Sequence, residues 1–289
     1  MVLSVVTTAI CATVARGWFG GGHTRATRLA LSACGAKLPD FFLKGADTIA
    51  HCSVDPDLFR LRDFPQLRDG ENGEQYMDIE LLKGSELPPT RSEFVARCAR
   101  LKLRPSEVGV VPYSVAEWTQ RLTFAFAEHR KWPENPHVRL KCLVYAGHLA
   151  HYAQDLCQPL HTTIHFDGRA GEDGKSPRTG IHSKVDALVQ KVETDRQLIV
   201  AGMKIEPLAK LLPGVLRELE RSHALVDRVY TLEEQLPDDE APIERNSEVA
   251  RFATERLRAC VRFTASLYLT AWENSKGVEL PEWHVRNDE

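Results

Sequence analysis

The spacing of apolar residues along this chain is helical over most of its length. In the segments 23–39, 114–132, 135–157 and 247–275, apolar residues recur every three or four positions, which places them on one face of an α-helix. Little of the chain alternates apolar and polar residues as half-buried strands do. The pattern therefore predicts a mostly α fold, built as a single-domain helical bundle.

Local signals set the expected ends of these helices. Ser114 and Glu117 have the spacing of a capping box, which predicts a helix that begins at Ser114. The next helix is expected to end before Pro159, because proline does not continue a helix. A further helix is expected over 181–200, and the helical pattern that follows it is expected to be interrupted at Pro213.

Composition fits a globular protein with a sizeable core. The 289 residues are 43% hydrophobic and 27% charged, and the formal net charge is −3 at pH 7. A chain with this balance has no global positive field that would draw it to nucleic acid or anionic lipid, although a local basic patch is compatible with it.

The first seventeen residues differ from the rest of the chain. They are mostly apolar, carry no Lys or Arg before Arg16, and end in Ala15-Arg16-Gly17, a pattern that suits signal peptidase. We interpret residues 1–17 as a signal peptide and residues 18–289 as the mature domain, which predicts a secreted or periplasmic protein. The alternative is an N-terminal strand or buried helix of a cytosolic protein.

Cysteine usage leaves two interpretations open. Cleavage after residue 17 would remove Cys11 and leave six cysteines, and an even number in an exported protein permits disulfides. Several of them lie in helical patterns and can equally be core residues. No CxxC spacing occurs, so zinc bound by cysteines is not expected.

The richest chemistry lies in residues 151–186. His151 and Asp155 are four residues apart and share a helix face, and a turn can bring His161 back toward that face. His182 and Asp186 repeat the same spacing. Imidazole and carboxylate groups are zinc ligands. A single such pair is more often a helix-face ion pair, but two pairs and a linking histidine favour a metal site, because buried His and Asp need partners.

The motifs in this region resemble those of a known superfamily. The segments "LAHYAQDLCQPLH" and "GIHSKVD" are similar to the metal-binding motifs of the zinc-dependent bacterial phospholipases C and the fungal single-strand-specific nucleases of the P-one type. The segment "WFGGGH" resembles their mature amino terminus, where the free amine and carbonyl of a first Trp bind zinc. The resemblance covers residues 18 to about 190 and implies a helical fold with two or three zinc ions.

Residue by residue, the resemblance implies three metal positions. One would be bound by Trp18, His23 and Asp155. A second would be bound by His161, His182 and Asp186. The third would be bound by His151, Asp155 and an upstream aspartate.

The third position departs from the family in one residue. The upstream ligand is Asp55 or Asp57, and Asp57 is favoured because Arg60 then completes an Asp-x-x-Arg motif. Gln75 stands where the family has its last histidine ligand, and Gln is a poorer zinc ligand than imidazole. The position would therefore be weak, hold another metal, or use another histidine such as His51, His148 or His165.

The resemblance implies hydrolysis of a phosphodiester through an activated water, with Asp57 and Arg60 as catalytic residues. Tyr76 and Asp78 match the residues that hold a base in the nucleases, which gives a slight preference for single-stranded nucleic acid as substrate. The alternative is a phospholipase C, for which "GIHSK" is the better local match although Gly21 and Leu58 replace two headgroup-binding residues. No stable protein partner is implied. A third hypothesis is a non-catalytic helical binding protein with a degenerate metal site.

Overall fold

A computed structural model describes residues 18–192, 195–238 and 241–285 of the chain. This part is mostly helical and forms one all-α domain around a continuous hydrophobic core, as the apolar periodicity predicts. No strand is present among these residues, which contain a single isolated β-bridge between Phe166 and Gly168. The predicted signal peptide, residues 1–17, lies outside the described residues.

The helices are numbered in chain order. They are α1 Gly20–Cys34, α2 Asp40–Lys44, α3 Ala46–Cys52, α4 Asp55–Leu58, α5 Pro65–Glu71, α6 Arg91–Leu101, α7 Pro105–Val108, α8 Val111–Lys131, α9 Pro136–Leu156, α10 Ile181–Asp186, α11 Leu188–Lys191, α12 Arg196–Val200, α13 Leu211–His223, α14 Val226–Thr231 and α15 Glu248–Asn274.

Three long helices form the centre of the bundle. The helix α8 packs against α9, and α15 packs against both of them as well as against α1. Phe42 lies between α8 and α15, with ring centroids 5.1 Å from Phe126 and 5.4 Å from Tyr268. The Tyr268 hydroxyl donates to the Ala146 carbonyl at 3.0 Å, so the polar end of this buried ring is satisfied.

A glycine brings α3 unusually close to α9. A Cβ atom at Gly147 would lie 2.5 Å from Cβ of Cys52 and 2.8 Å from the carbonyl oxygen of Ile49, so a larger residue does not fit there. The close approach places the end of α3 against the next turn of α9, where His151 lies. The backbone of α3 can therefore contact the imidazole of that residue.

Three of the expectations about where helices begin, end or break were wrong. The helix α8 begins at Val111 and not at Ser114, whose hydroxyl instead donates to Glu74 Oε2 at 2.7 Å within the bundle. The expected helix over 181–200 is broken into α10, α11 and α12. Pro213 was expected to interrupt a helix, and this was also wrong. It lies in the first turn of α13, where a missing N–H costs nothing.

All six cysteines that follow residue 17 are buried free thiols in this structure: Cys34, Cys52, Cys98, Cys142, Cys157 and Cys260. They act as small apolar core residues, which was the second of the two interpretations. No helix in the described part of the chain is long and apolar enough to cross a membrane.

Candidate metal centre

The C-terminal end of α9 and the turn after it carry buried polar side chains. His151 and Asp155 are completely buried on α9, and Asn135 caps the start of that helix by accepting from the backbone N–H groups of His137 and Val138. A 3₁₀ turn, Pro159–Thr162, follows and holds His161 against the same region. The i, i+4 spacing thus brings these side chains together as the sequence predicts.

Asp155 lies at the centre of a first group with His23 and His151. The Nε2 atom of His23 is 3.4 Å from Asp155 Oδ1, and the Nε2 atom of His151 is 3.1 Å from Asp155 Oδ2. The two imidazoles are stacked, with centroids 4.3 Å apart. Each carboxylate oxygen therefore faces a different histidine, an arrangement in which one aspartate could bridge two ions.

His161, His182 and Asp186 form a second group. The Nε2 atoms of His161 and His182 are 3.1 Å apart, and Nε2 of His182 is 3.3 Å from Asp186 Oδ2. The three side chains are nearly or completely buried. The helix α10, which begins after Gly180 in a left-handed conformation, presents His182 and Asp186 one turn apart.

Hydrogen bonds at the other ring nitrogen fix how all four histidines face the centre. Their Nδ1 atoms lie 2.7–2.9 Å from oxygen atoms that can only accept: the carbonyls of Ser53, Gln75 and Phe166 and the side-chain Oε1 of Gln154. Nδ1 must therefore carry the proton and donate it. In the neutral ring this leaves Nε2 as a lone-pair acceptor directed at the carboxylates.

Acceptor atoms that face one another need a cation between them. His23 Nε2, His151 Nε2, both Asp155 oxygens, Asp186 Oδ2 and Asp57 Oδ1 are buried and have no hydrogen-bond partner among the described residues. Buried polar atoms without partners are rare and costly in folded proteins. The donor set is imidazole nitrogen and carboxylate oxygen, so the residues present fit a zinc ion.

The electrostatics of the centre show the same demand for positive charge. Burial and the nearby His151 together lower the pKa of His23 to about 4. Burial also opposes protonation of His151, but the Asp155 carboxylate outweighs it and raises the pKa of His151 to about 9. In turn, burial opposes ionisation of Asp155, yet His151 and His161 hold its pKa below the usual range.

The second group is harder to charge. Burial, with His161 close by, lowers the pKa of His182 to about 3. Burial raises the pKa of Asp186 well above its ordinary value, although Gln158 Nε2 donates to Asp186 Oδ1 at 2.8 Å and opposes that shift. A divalent cation at this position would stabilise the neutral imidazoles and the ionised carboxylate together.

Asp57, rather than Asp55, lies toward the two groups. Burial disfavours the protonated form of His23 and of His151, and the nearby negative charge of Asp57 acts against that effect on both pKa values. The carboxylate of Asp55 instead faces His148, with Oδ2 3.5 Å from His148 Nε2. The pair between Asp55 and His148 fastens α4 to α9, which leaves Asp57 on the side of the centre.

Gln75 has a different role from that of a metal ligand. Its Oε1 accepts from Arg60 Nη1 at 2.5 Å, and its Nε2 donates to the Pro56 carbonyl and to Glu71 Oε1. The backbone carbonyl of Gln75 accepts from His161 Nδ1 at 2.7 Å. The residue thus holds Arg60 in place. Burial lowers the pKa of His161, and Arg60 is close enough to add to that shift.

The histidines considered as replacements for the third position are placed elsewhere. His51 is exposed, His148 faces Asp55, and His165 Nδ1 accepts from the Ala170 N–H at 2.9 Å. None of the three belongs to the groups of potential ligands found in the described part of the chain. The described residues therefore form two groups of potential metal ligands, and no third group is found among them.

Of the two residues expected to hold a nucleic-acid base, Tyr76 is engaged within the protein and Asp78 lies in a partly buried, electronegative position. The Tyr76 hydroxyl donates to the Ser106 carbonyl at 2.6 Å, and the Tyr76 side chain packs so close to Gly109 that a Cβ there would lie 2.8 Å from its ring. Burial and the neighbouring Glu80 raise the pKa of Asp78 to about 8.

Trp18 is completely buried beside the first group. Its Nε1 donates to the backbone carbonyl of Gln154 at 2.9 Å, one residue before Asp155. Its α-amine as a zinc ligand depends on cleavage after residue 17, and residues 1–17 lie outside the described part. Position and burial place the Trp18 side chain next to the centre.

Sequence reasoning missed the glutamines that orient the ligands. Gln154 connects His23 to Thr27 by accepting from His23 Nδ1 and donating to Thr27 Oγ1 at 2.9 Å. Gln158 contacts Asp186 in the same way. The signal available in the sequence was their position, immediately beside Asp155 and before Pro159, but polarity there says nothing about the partner.

No protein-family model matches this chain, and no curated protein gives a significant match. The geometry therefore provides the basis for a functional assignment. It shows two buried His/Asp groups that could hold metal ions, which is compatible with a metal-dependent hydrolase.

Proposed function

We propose that this protein is a zinc-dependent hydrolase of phosphodiester bonds. The observation that carries the proposal is the set of buried, partnerless acceptor atoms that converge in two groups, with Nε2 atoms 3.1–3.4 Å from carboxylate oxygens. A protonated His151 would satisfy one Asp155 oxygen without a metal, but His23 Nε2, whose pKa burial lowers to about 4, has no donor in a purely structural role. The resemblance of the motifs to zinc-dependent phosphodiesterases supports the same assignment.

Zinc is the metal that suits the donors best. It accepts imidazole nitrogen and carboxylate oxygen and usually takes four ligands. Each group supplies three side chains, which leaves a coordination position for water or substrate, as catalytic zinc sites require. The cleaved amine of Trp18 is a further ligand that we propose on the basis of the resemblance.

When bound, zinc would polarise a phosphoryl oxygen and lower the pKa of a water molecule that attacks phosphorus. Residues of the chain would accept the proton and bind the phosphoryl group. Asp57, with its partnerless buried Oδ1, would accept a proton from the attacking water. Arg60, held by Gln75, would bind the phosphoryl oxygens and stabilise the charge that develops on them.

Two substrate classes suit this chemistry: single-stranded nucleic acid and phospholipid. The first depends on Tyr76 and Asp78 as a base-binding pair, and Tyr76 is tied to Ser106 and packed at Gly109. The second gains support from an exposed apolar segment beside the centre, which is described in the next subsection. Phosphodiester hydrolysis is common to both.

The deciding experiment combines metal content with activity. Protein purified from its native export route would be analysed for zinc and for its N-terminal residue, then assayed on single-stranded DNA, on phosphatidylcholine and on bis(4-nitrophenyl) phosphate. We expect at least two zinc ions per chain, Trp18 as first residue, and hydrolysis that is lost on chelation and restored by zinc. If the purified protein still carries residues 1–17, the predictions of export and of cleavage before Trp18 are wrong.

A pair of variants on α9 makes the test specific. His151→Ala is expected to abolish hydrolysis and to lower the zinc content, since His151 supplies a ligand atom. His148→Gln, one turn earlier, keeps a hydrogen-bonding group next to Asp55 and is expected to retain both. Full turnover by the His151 variant would remove that residue from the centre. Zinc-loaded protein that turns over none of the three substrates would favour a non-catalytic metal-binding protein.

A further inference from the structure

A short segment next to the metal centre exposes a run of large apolar side chains. Leu58, Leu61, Phe64 and Leu67 are 52%, 43%, 57% and 48% exposed. They are spaced every third residue within 58–67, which we call the rim segment. Large exposed apolar residues that are scattered singly need no explanation, but a contiguous group marks an interaction surface.

Backbone turns keep these exposed side chains close together. The N–H of Leu61 donates to the Leu58 carbonyl, and the N–H of Phe64 donates to the Leu61 carbonyl, both at 3.2 Å. The first and last residues of such a turn have Cα atoms within about 7 Å of each other. Leu58, Leu61 and Phe64 are therefore near neighbours, and α5 adds Leu67 three residues after Phe64.

The intervening residues fasten the rim segment to the body of the protein. Phe59 packs edge-on against His148, with ring centroids 5.8 Å apart, and Arg60 reaches inward to Gln75. The segment is thus amphipathic: one side is bound to the bundle and the other side is apolar and open. Because it directly follows Asp57, the segment begins beside the metal centre.

The charges on the rim segment and just beyond it carry both signs. Exposed Arg62 is followed by exposed Asp63, and half-buried Arg68 is followed by exposed Asp69. A zwitterionic phospholipid surface also presents both signs, phosphate and ammonium, at the same depth. Long arginine side chains can keep their charge at this level while apolar neighbours insert below it.

From this combination we propose that the rim segment docks the protein onto a zwitterionic phospholipid bilayer. Leu58, Leu61, Phe64 and Leu67 insert among the acyl chains near the headgroups, and the arginine and aspartate side chains contact the headgroups. The surface would bring phospholipid phosphodiesters to the metal centre, and this use of the surface rests on the function proposed above.

Other occupants fit these residues less well. Single-stranded nucleic acid is uniformly anionic, and Asp63 and Asp69 would oppose it. The core of a protein interface is depleted in charged residues, whereas here Arg62 and Asp63 separate Leu61 from Phe64.

Vesicle binding tests the proposal directly. Zinc-loaded full-length protein is sedimented with phosphatidylcholine vesicles, and the bound fraction is compared with that of a Leu61→Ser, Phe64→Ser variant. We expect the variant to partition at least about tenfold more weakly, because burying one such side chain is worth about a factor of ten or more. Both side chains are exposed, so the variant should fold, and its thermal transition checks this.

A matched control uses an equally exposed pair far from the centre. Phe124→Ser with Leu140→Ser changes one residue on α8 and one near the start of α9, and we expect vesicle binding equal to wild type. A second readout places a polarity-sensitive dye at Phe64→Cys or at Phe124→Cys. Its emission should shift to the blue on vesicles in the first case and stay constant in the second.

Specific results would overturn the docking surface. Wild-type protein that stays in the supernatant with phosphatidylcholine vesicles would do so. So would binding that needs anionic lipid and disappears at high salt, since that is electrostatic adsorption. A wild-type dimer that the Leu61→Ser, Phe64→Ser variant converts to a monomer, without vesicle binding by either, would assign the surface to a second copy of the chain.

Hydrolysis of bis(4-nitrophenyl) phosphate separates this proposal from the proposed function. That water-soluble substrate needs no docking, so the Leu61→Ser, Phe64→Ser variant should cleave it at the wild-type rate. Vesicle binding without any cleavage of the soluble diester would refute the phosphodiesterase and support the docking surface. Cleavage without vesicle binding would support the phosphodiesterase and refute the docking surface.

Discussion

Two buried polar clusters lie side by side, each with residues from α9, and they differ in how their atoms are satisfied. One is the metal centre around His151 and Asp155. The other is a hydrogen-bond network formed by Glu71, Gln75 and Tyr152, the residue that follows His151 on α9. In that network Glu71 Oε1 accepts from the Tyr152 hydroxyl at 2.8 Å and from Gln75 Nε2 at 3.3 Å.

The comparison separates structural polar groups from groups arranged to bind. In the Glu71 network each donor meets an acceptor, which is the usual condition for burying polar atoms. In the metal centre, neutral histidines turn acceptors toward acceptors, because their Nδ1 protons are already donated, so a proton or a metal ion has to lie between them. Both clusters are buried and both contain charge, so burial alone does not distinguish them. The pairing of donors with acceptors does.

The largest expected effect comes from removing the carboxylate shared by both histidines of the first group. Zinc at about a thousand times its dissociation constant should stabilise the wild-type fold by about 4 kcal/mol over chelated protein. Asp155→Asn should lose the part of this gain that comes from the first group, because the amide carries no charge to hold the ion there. Urea denaturation with and without zinc measures both values.

The neighbouring network supplies the control for that prediction. Glu71 lies at the end of α5 and belongs to neither group of potential ligands, so zinc should stabilise the Glu71→Gln variant as much as wild type. An equal response of the Asp155 and Glu71 variants to zinc would show that the two clusters do not differ in the way proposed here.

The next effect concerns pH. Burial raises the pKa of Glu71 to about 7 in the folded protein, against 4.5 in the unfolded chain, although its hydrogen bonds with Tyr152 and Gln75 oppose the shift. The folded state therefore binds more protons between these values. The contribution of Glu71 to stability is fully present below pH 4.5 and is lost as the pH rises through about 7, by about 3 kcal/mol in total.

Glu71→Gln isolates this contribution, since the amide does not titrate. The difference in unfolding free energy between wild type and the variant, measured in chelated protein at about pH 5 and about pH 8, should change in favour of the variant at the higher pH. A difference that is constant across this range would mean that Glu71 is ionised in the folded protein at both pH values.

The smallest effects are expected from the glutamines that orient the ligands. Gln158→Met should weaken zinc binding at the second group about 10- to 100-fold, because Asp186 loses the hydrogen bond that holds it. Gln154→Met should do the same at the first group through His23. Competition with a chromogenic chelator resolves the two affinities. If either variant weakened zinc binding at both groups equally, the two groups would act as a single metal site.

Much of the fold and of the candidate site could be predicted from local pattern. The apolar repeat gave the long helices, and the spacing of four placed His151 with Asp155 and His182 with Asp186. The helix expected over 181–200 failed because its apolar residues fit a helical repeat whether or not the helix is continuous. Local periodicity does not reveal where the chain must bend to stay against α1 and α15.

The sequence by itself determined which residue types share a helix face, since that depends only on the 3.6-residue repeat. Tertiary structure decided which of these side chains meet across elements. It turned Asp57 rather than Asp55 toward the centre by pairing Asp55 with His148, and it joined Gln75 to Arg60. It also set His161 and His182 3.1 Å apart. These contacts join residues that are distant in the chain, so their geometry follows from how the helices pack and not from spacing.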